Sequence, residues 1–127
     1  MNTNLKQKTI LIIEDEKTLR SILKTKLENN NFNVIEARNG KEGLETSLKK
    51  HPDLILLDII MPIMDGMTML KKLRKEGWGK DAQVMLLTNL DDTEKITKSN
   101  KQNVYDYLLK TDWSIDDLIN KIKNKLK

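Results

Sequence analysis

Apolar positions along this chain fall into two alternating kinds of stretch. Residues 8–15, KTILIIED, are a near-continuous apolar run closing on two carboxylates, as expected of a strand covered on both faces. Beyond it Leu19, Ile22, Leu23 and Leu27 recur at helical spacing until Asn29-Asn30-Asn31 interrupts them. FNVIEA (32–37) reads as a second, shorter strand. Asn39-Gly40 marks a turn, and Leu44 and Leu48 give the next helix an apolar face until His51-Pro52 stops it. DLILLD (53–58) is the third strand. Asp65 is placed to cap a helix carrying Met67, Leu70 and Leu73 and ending around Gly77, and AQVMLLT (82–88) is the fourth strand. In 91–103, DDTEKITKSNKQN, Asp92 or Thr93 is suited to cap a helix and Asn103 to end it, yet Ile96 is the only strongly apolar residue there. YDYLLK (105–110) is a short fifth strand. Asp112 or Ser114 then opens a last helix with Ile115, Leu118, Ile119, Ile122 and Leu126 in register.

Five strand–helix units in alternation predict an α/β fold, a mostly parallel sheet with helices on both faces. At 127 residues, with no repeat and no low-complexity linker, the chain reads as one domain over 1–127. In such sheets ligands bind beyond the carboxyl ends of the strands. Strand one ends in Glu14-Asp15, strand three in Asp58, strand four in Thr88 and strand five in Lys110. Like charges on one edge repel without a counter-ion, and a hard divalent cation held by carboxylates, a carbonyl and waters supplies one, as magnesium does. A metal, an ammonium and a hydroxyl around a single carboxylate make a phosphoryl-binding arrangement.

Composition narrows the alternatives. The chain has no cysteine, which excludes disulfides and thiolate metal sites, and its single histidine, His51, reads as a solvated loop residue before Pro52. A net charge of +4 invites nucleic acid as a partner. The lysines, however, are interleaved with Asp and Glu, and aromatic residues are only 4% of the chain, too few for base stacking; direct nucleic-acid binding is not expected. No apolar run reaches membrane-spanning length and MNTNLKQKT has no signal-peptide core, so a cytoplasmic location is expected. The loop after strand one, EDEKT, would repel the phosphates of a dinucleotide, and no GxxxxGK[ST] loop is present. A magnesium-dependent hydrolase with an aspartyl nucleophile of the DxD type would need a second Asp two residues after Asp58, where Ile60 stands.

The acidic pair of ILIIEDE, LLDIIMPIMDG, MLLT and YLLKTD, in that order and spacing, resemble the receiver domain of bacterial two-component response regulators over about Lys8 to Lys127. The resemblance implies a doubly wound, flavodoxin-like sheet of five parallel strands in the order 2-1-3-4-5 with five helices. It implies that Asp58 is the phosphoacceptor, supplied by a sensor histidine kinase or a phosphotransfer protein. Mg2+ would be bound by Asp15, Asp58 and the backbone carbonyl of Ile60, with Glu14 acting through water. Thr88 and Lys110 would hold the phosphoryl oxygens, and Tyr107 would be the aromatic switch that turns inward as Thr88 moves. The chain would be a signalling domain, catalysing only its own phosphorylation and dephosphorylation, either stand-alone or cut from a longer regulator. Output would pass to a downstream protein through the face made by the 92–103 helix, strand five and the last helix, with the chain a monomer or a weak dimer through that face. The rival reading is a pseudo-receiver, an interaction module independent of phosphorylation.

Three departures from the family pattern carry expectations. Thr111 stands where a proline usually follows the lysine, and a cis bond before a non-proline residue costs about 2.5–4 kcal/mol, so Lys110 would be set by a trans bond. Asn89 replaces a small residue after Thr88, and with Ile60 and Leu90 both apolar the aspartyl phosphate is expected to hydrolyse slowly. The polar 92–103 helix is expected to be mobile and to order on phosphorylation or partner binding.

Overall fold

The computed structural model describes residues 7–88, the backbone of 106–109 and residues 114–126. The helix expected over 92–103, and with it Asn89, Leu90, Lys110, Thr111 and Asp112, lies outside the described residues. Strands β1 (Thr9–Ile13), β2 (Asn33–Ala37), β3 (Leu54–Asp58), β4 (Val84–Thr88) and β5 (Asp106–Leu109) form one sheet, all pairs parallel, in the order β2-β1-β3-β4-β5. That is the doubly wound, flavodoxin-like order the resemblance implies. Among the described residues the helices are α1 (Lys17–Asn29), α2 (Gly40–Lys50), α3 (Gly66–Leu73) and α4 (Ile115–Lys125). None of them is long and apolar enough to cross a membrane.

Strand periodicity sorts the core into two layers. Leu11, Ile13, Ile55, Leu57, Val84 and Leu86 face α2 and α3, where Met69, Leu70 and Leu73 are buried. Ile10, Ile12, Leu54, Leu56, Met85 and Leu87 face α1 and α4, meeting Leu23, Leu27, Leu118, Ile119 and Ile122. Every residue of β3 is buried, which is why that strand reads as unbroken apolar sequence and why a carboxylate at its end stands out.

The helices depart from their sequence expectations in three places. Ile22, expected on the inner face of α1, is 43% exposed, and Arg20 is buried in its stead. In α2 the fully buried positions are Gly40, Gly43 and Ser47, with Leu44 and Leu48 only partly covered, because the helix backbone lies against the Ile13 side chain at Gly43. α3 stops at Leu73 rather than near Gly77, and a 3-10 turn over Trp78–Asp81 follows. Arg74 braces that turn, donating from Nη1 to the Gly79 and Ala82 carbonyls at 2.7 Å each. Burial lowers the pKa of its guanidinium from the ordinary value, and Asp81 opposes the shift. His51 is exposed as expected, but it closes α2 in a left-handed conformation (φ 48°) and its ring stacks on Trp78 at 4.4 Å.

Candidate functional site

The register of the two central strands assembles the site. Ile13 pairs with Leu57, so the next step along each strand brings Glu14 beside Asp58 at the carboxyl edge of the sheet. Carboxylate oxygens of Glu14, Asp15 and Asp58 all lie within 4.8 Å of one another. Glu14 and Asp58 are buried, at 1% and 5% exposure, while Asp15 is open to solvent. Three acidic oxygens converging beyond the ends of two strands, with two of the residues buried, could hold a hard divalent cation. The Glu14 carboxylate also accepts from the Glu16 amide at 3.1 Å, which folds the EDE turn back on itself. Asp15, which has the residue type of a helix cap, does not cap α1; Glu16 holds that position with no side-chain hydrogen bond.

The other wall is the loop from Asp58 to α3. The Gly66 amide donates to the Ile59 carbonyl at 2.7 Å, and the Asp65 side chain caps α3 by accepting from the Thr68 amide at 2.8 Å. A Cβ at position 66 would stand 2.2 Å from the Asp58 carbonyl oxygen, so only glycine lets the first turn of α3 approach the nucleophile candidate this closely. The Met64 amide donates to the Pro62 carbonyl at 2.7 Å, a γ-turn with Ile63 at its centre (φ 69°). A β-branched residue in that region is strained. The Met64 carbonyl accepts from the Gly40 amide at 2.9 Å, tying the loop to the start of α2. Ile60, in the same loop, is 56% exposed at the mouth, and Ile63 is 78% exposed beside it.

Of the residues singled out from sequence, the structure brings Glu14, Asp15 and Asp58 together and sets Ile60 in the adjoining loop. Thr88 ends β4 with its backbone opposite Leu109, and Tyr107 lies in β5 opposite Leu86. Their side chains, and Lys110 entirely, fall outside the described residues. Arg20, which belongs to none of the sequence motifs, also reaches the site. Its Nη1 donates to the Glu14 carbonyl at 2.8 Å and reaches the Asp15 carbonyl at 3.5 Å, and its Nε lies 3.3 Å from a carboxylate oxygen of Glu36 on β2. The signal was present: positions 20, 23 and 27 share one helical stripe, and an arginine on an apolar stripe asks for a buried partner.

Comparison with known proteins gives a consistent result. A family model, the response regulator receiver domain, matches residues 10–123. A probable transcriptional regulator, ycf27, of Porphyridium aerugineum is 35% identical over 106 residues, covering 84% of this chain and 43% of that protein. The response regulator ArlR of Staphylococcus aureus is 30% identical over 114 residues, covering 90% of this chain and 50% of that one. The chain thus spans half or less of the length of these relatives. Among solved structures, the receiver domain of the Francisella response regulator 1452 superposes with a TM-score of 0.83 at 35% identity, covering 93% of this chain and 95% of the other.

Proposed function

The chain belongs to the response regulator receiver family, and from that premise we propose that it accepts a phosphoryl group on Asp58 as one receiver domain over 1–127. The observation that carries the reading is the convergence of Glu14, Asp15 and Asp58 at the carboxyl edge of the two central strands. The donor would be the phosphohistidine of a sensor kinase or phosphotransfer protein. A carboxylate oxygen of Asp58 attacks phosphorus, a P–O bond forms as the P–N bond breaks, and the imidazole leaves and takes up a proton. Little covalent work is asked of the protein; what it must do is align the nucleophile and neutralise the spreading charge.

Asp15, Asp58 and the Ile60 carbonyl would hold Mg2+, with Glu14 acting through water, a donor set that fits three converging carboxylate oxygens. Bound there, the ion supplies charge neutralisation at the phosphoryl oxygens. Thr88, at the end of β4, would donate its hydroxyl to a phosphoryl oxygen, and Lys110, next in sequence after β5, would supply an ammonium. The Gly66–Ile59 hydrogen bond and the Asp65 cap would steady the loop that follows Asp58. Tyr107 would then turn inward with Thr88, altering the face that includes β5 and α4, through which a downstream protein would be engaged.

The comparisons lend no support to a phosphorylation-independent module, and the acidic cluster is whole. Because relatives are named as transcriptional regulators, the expectation of no direct nucleic-acid contact gains nothing from them. Intact mass after incubation with acetyl phosphate and Mg2+ tests the reading. One added phosphoryl group is expected, lost in Asp58→Asn and in EDTA. Equal uptake by Asp58→Asn would refute the assignment.

A further inference from the structure

Among the described charged residues only Glu14, Arg20 and Asp58 are buried. Two of these are carboxylates of the site; the third stands behind it. We infer that Arg20 is a positioning residue of the metal site, holding the main chain of the acidic turn so that its carboxylates converge on one point. The inference rests on the reading of that cluster as a divalent-cation site.

The geometry is a bracket with two ends. Toward the site, Arg20 Nη1 donates to the carbonyl of Glu14 at 2.8 Å and lies 3.5 Å from that of Asp15, and the Glu14 amide is itself fixed to the Ala37 carbonyl at 3.1 Å. A peptide unit is planar and stiff, so holding these carbonyls restricts the directions open to the residues that carry the ligands. Away from the site, Arg20 Nε meets Glu36 Oε1 at 3.3 Å, while Lys24 Nζ meets the other oxygen of the same carboxylate at 3.6 Å. Glu36 shares a strand face with Val34, the face turned to α1, so its carboxylate is presented to the helix by strand alternation. Arginine suits this task and lysine does not, because a planar fork serves two directions at once while an ammonium is a single point. Without the bracket, mutual repulsion would spread the three carboxylates before a cation arrived.

Simple electrostatics predicts the opposite sign. Arg20 is a permanent cation near a cation site, so by Coulomb's law alone its removal should tighten metal binding. Positioning predicts that removal weakens it. Mg2+ affinity, measured on the full chain by calorimetric titration for the wild type, Arg20→Met, Arg20→Lys and Glu36→Gln, separates the two. Groups that orient metal ligands typically contribute about 10-fold to 100-fold in affinity. Arg20→Met and Arg20→Lys are expected to lose about 10-fold, and Glu36→Gln to lose less in the same direction. Half-maximal phosphoryl uptake is expected to need about 10-fold more Mg2+ in Arg20→Met than in the wild type. Unchanged or tighter Mg2+ binding in folded Arg20→Met, or full affinity in Arg20→Lys, would overturn the inference. Should Arg20→Met fail to fold, Arg20→Lys and Glu36→Gln decide by the same criterion. A wild type that binds no Mg2+, or binds it equally well with Asp15→Asn, would overturn the site reading beneath, and that result is visible before any Arg20 variant is made.

Discussion

Single residues decide this site through close approaches that no side-chain pattern advertises. At Gly66 a methyl group would stand 2.2 Å from the Asp58 carbonyl oxygen and 3.0 Å from the Ile59 Cα, both backbone atoms that cannot swing aside. Gly66→Ala is therefore expected to cost about 2 kcal/mol of stability and to displace Asp58. Gly77 has nothing within 4 Å of the same added atom and already holds helical angles (φ −53°, ψ −55°). Gly77→Ala should instead add about 0.5 kcal/mol by restricting the unfolded chain. Urea midpoints of the two variants check both signs. Asp58, Glu14 and Asp15 were legible in the sequence because each ends an apolar run, where a carboxylate is conspicuous. Arg20 was not, because an arginine in an amphipathic helix reads as solvent-facing unless its place on the 20-23-27 stripe is weighed. Ile22 erred the other way: hydrophobic, but a step off that stripe and so 43% exposed.

At the scale of elements, ends were harder to read than interiors. The last helix was expected to open at Asp112 or Ser114, and the structure shows Ser114 in a reciprocal cap. Its hydroxyl accepts from the Asp117 amide at 3.1 Å, and the Asp117 carboxylate accepts from the Ser114 amide at 3.5 Å. This pattern departs from the usual Ser-x-x-Glu only in the shorter acid. Ser114→Ala is expected to cost about 1 kcal/mol, read as a lowered urea midpoint with an unchanged slope. The end of α3 shows why boundaries escape periodicity. Met67, Leu70 and Leu73 set the helical face, but the Arg74 side chain reaches carbonyls at positions 79 and 82 and stabilises a tighter turn that has no apolar signature of its own. The His51–Trp78 stack was equally hidden, since the two rings are far apart in sequence and meet only through the packing of α2 near that turn.

For the whole molecule, the layered α/β architecture followed from alternation alone, while the strand order came from resemblance and the register from the structure. Order and register together put the acidic residues of two strands at one place, and on the proposed reading that juxtaposition would link stability to metal. If the cluster binds Mg2+ only when folded, Mg2+ at one hundred times its dissociation constant should add about 2.7 kcal/mol to the unfolding free energy. Asp15→Asn should gain markedly less at the same concentration. Urea titrations with and without Mg2+ measure the difference, and an equal response of the two proteins would place the ion elsewhere.

The adjacency of β1 and β3 also bears on the order in which the chain assembles. Both strands precede residue 59, so the carboxylates are brought together as soon as this one pair zips, whether or not β4 and β5 have joined. Like-charge repulsion would then be felt as soon as this pair forms, and a folding nucleus containing it would be slowed. A divalent cation held by the paired carboxylates would relieve that repulsion. If the cluster takes up Mg2+ as proposed, the ion should act on the folding limb of the kinetics, and stopped-flow refolding is expected to be faster with Mg2+ than without it.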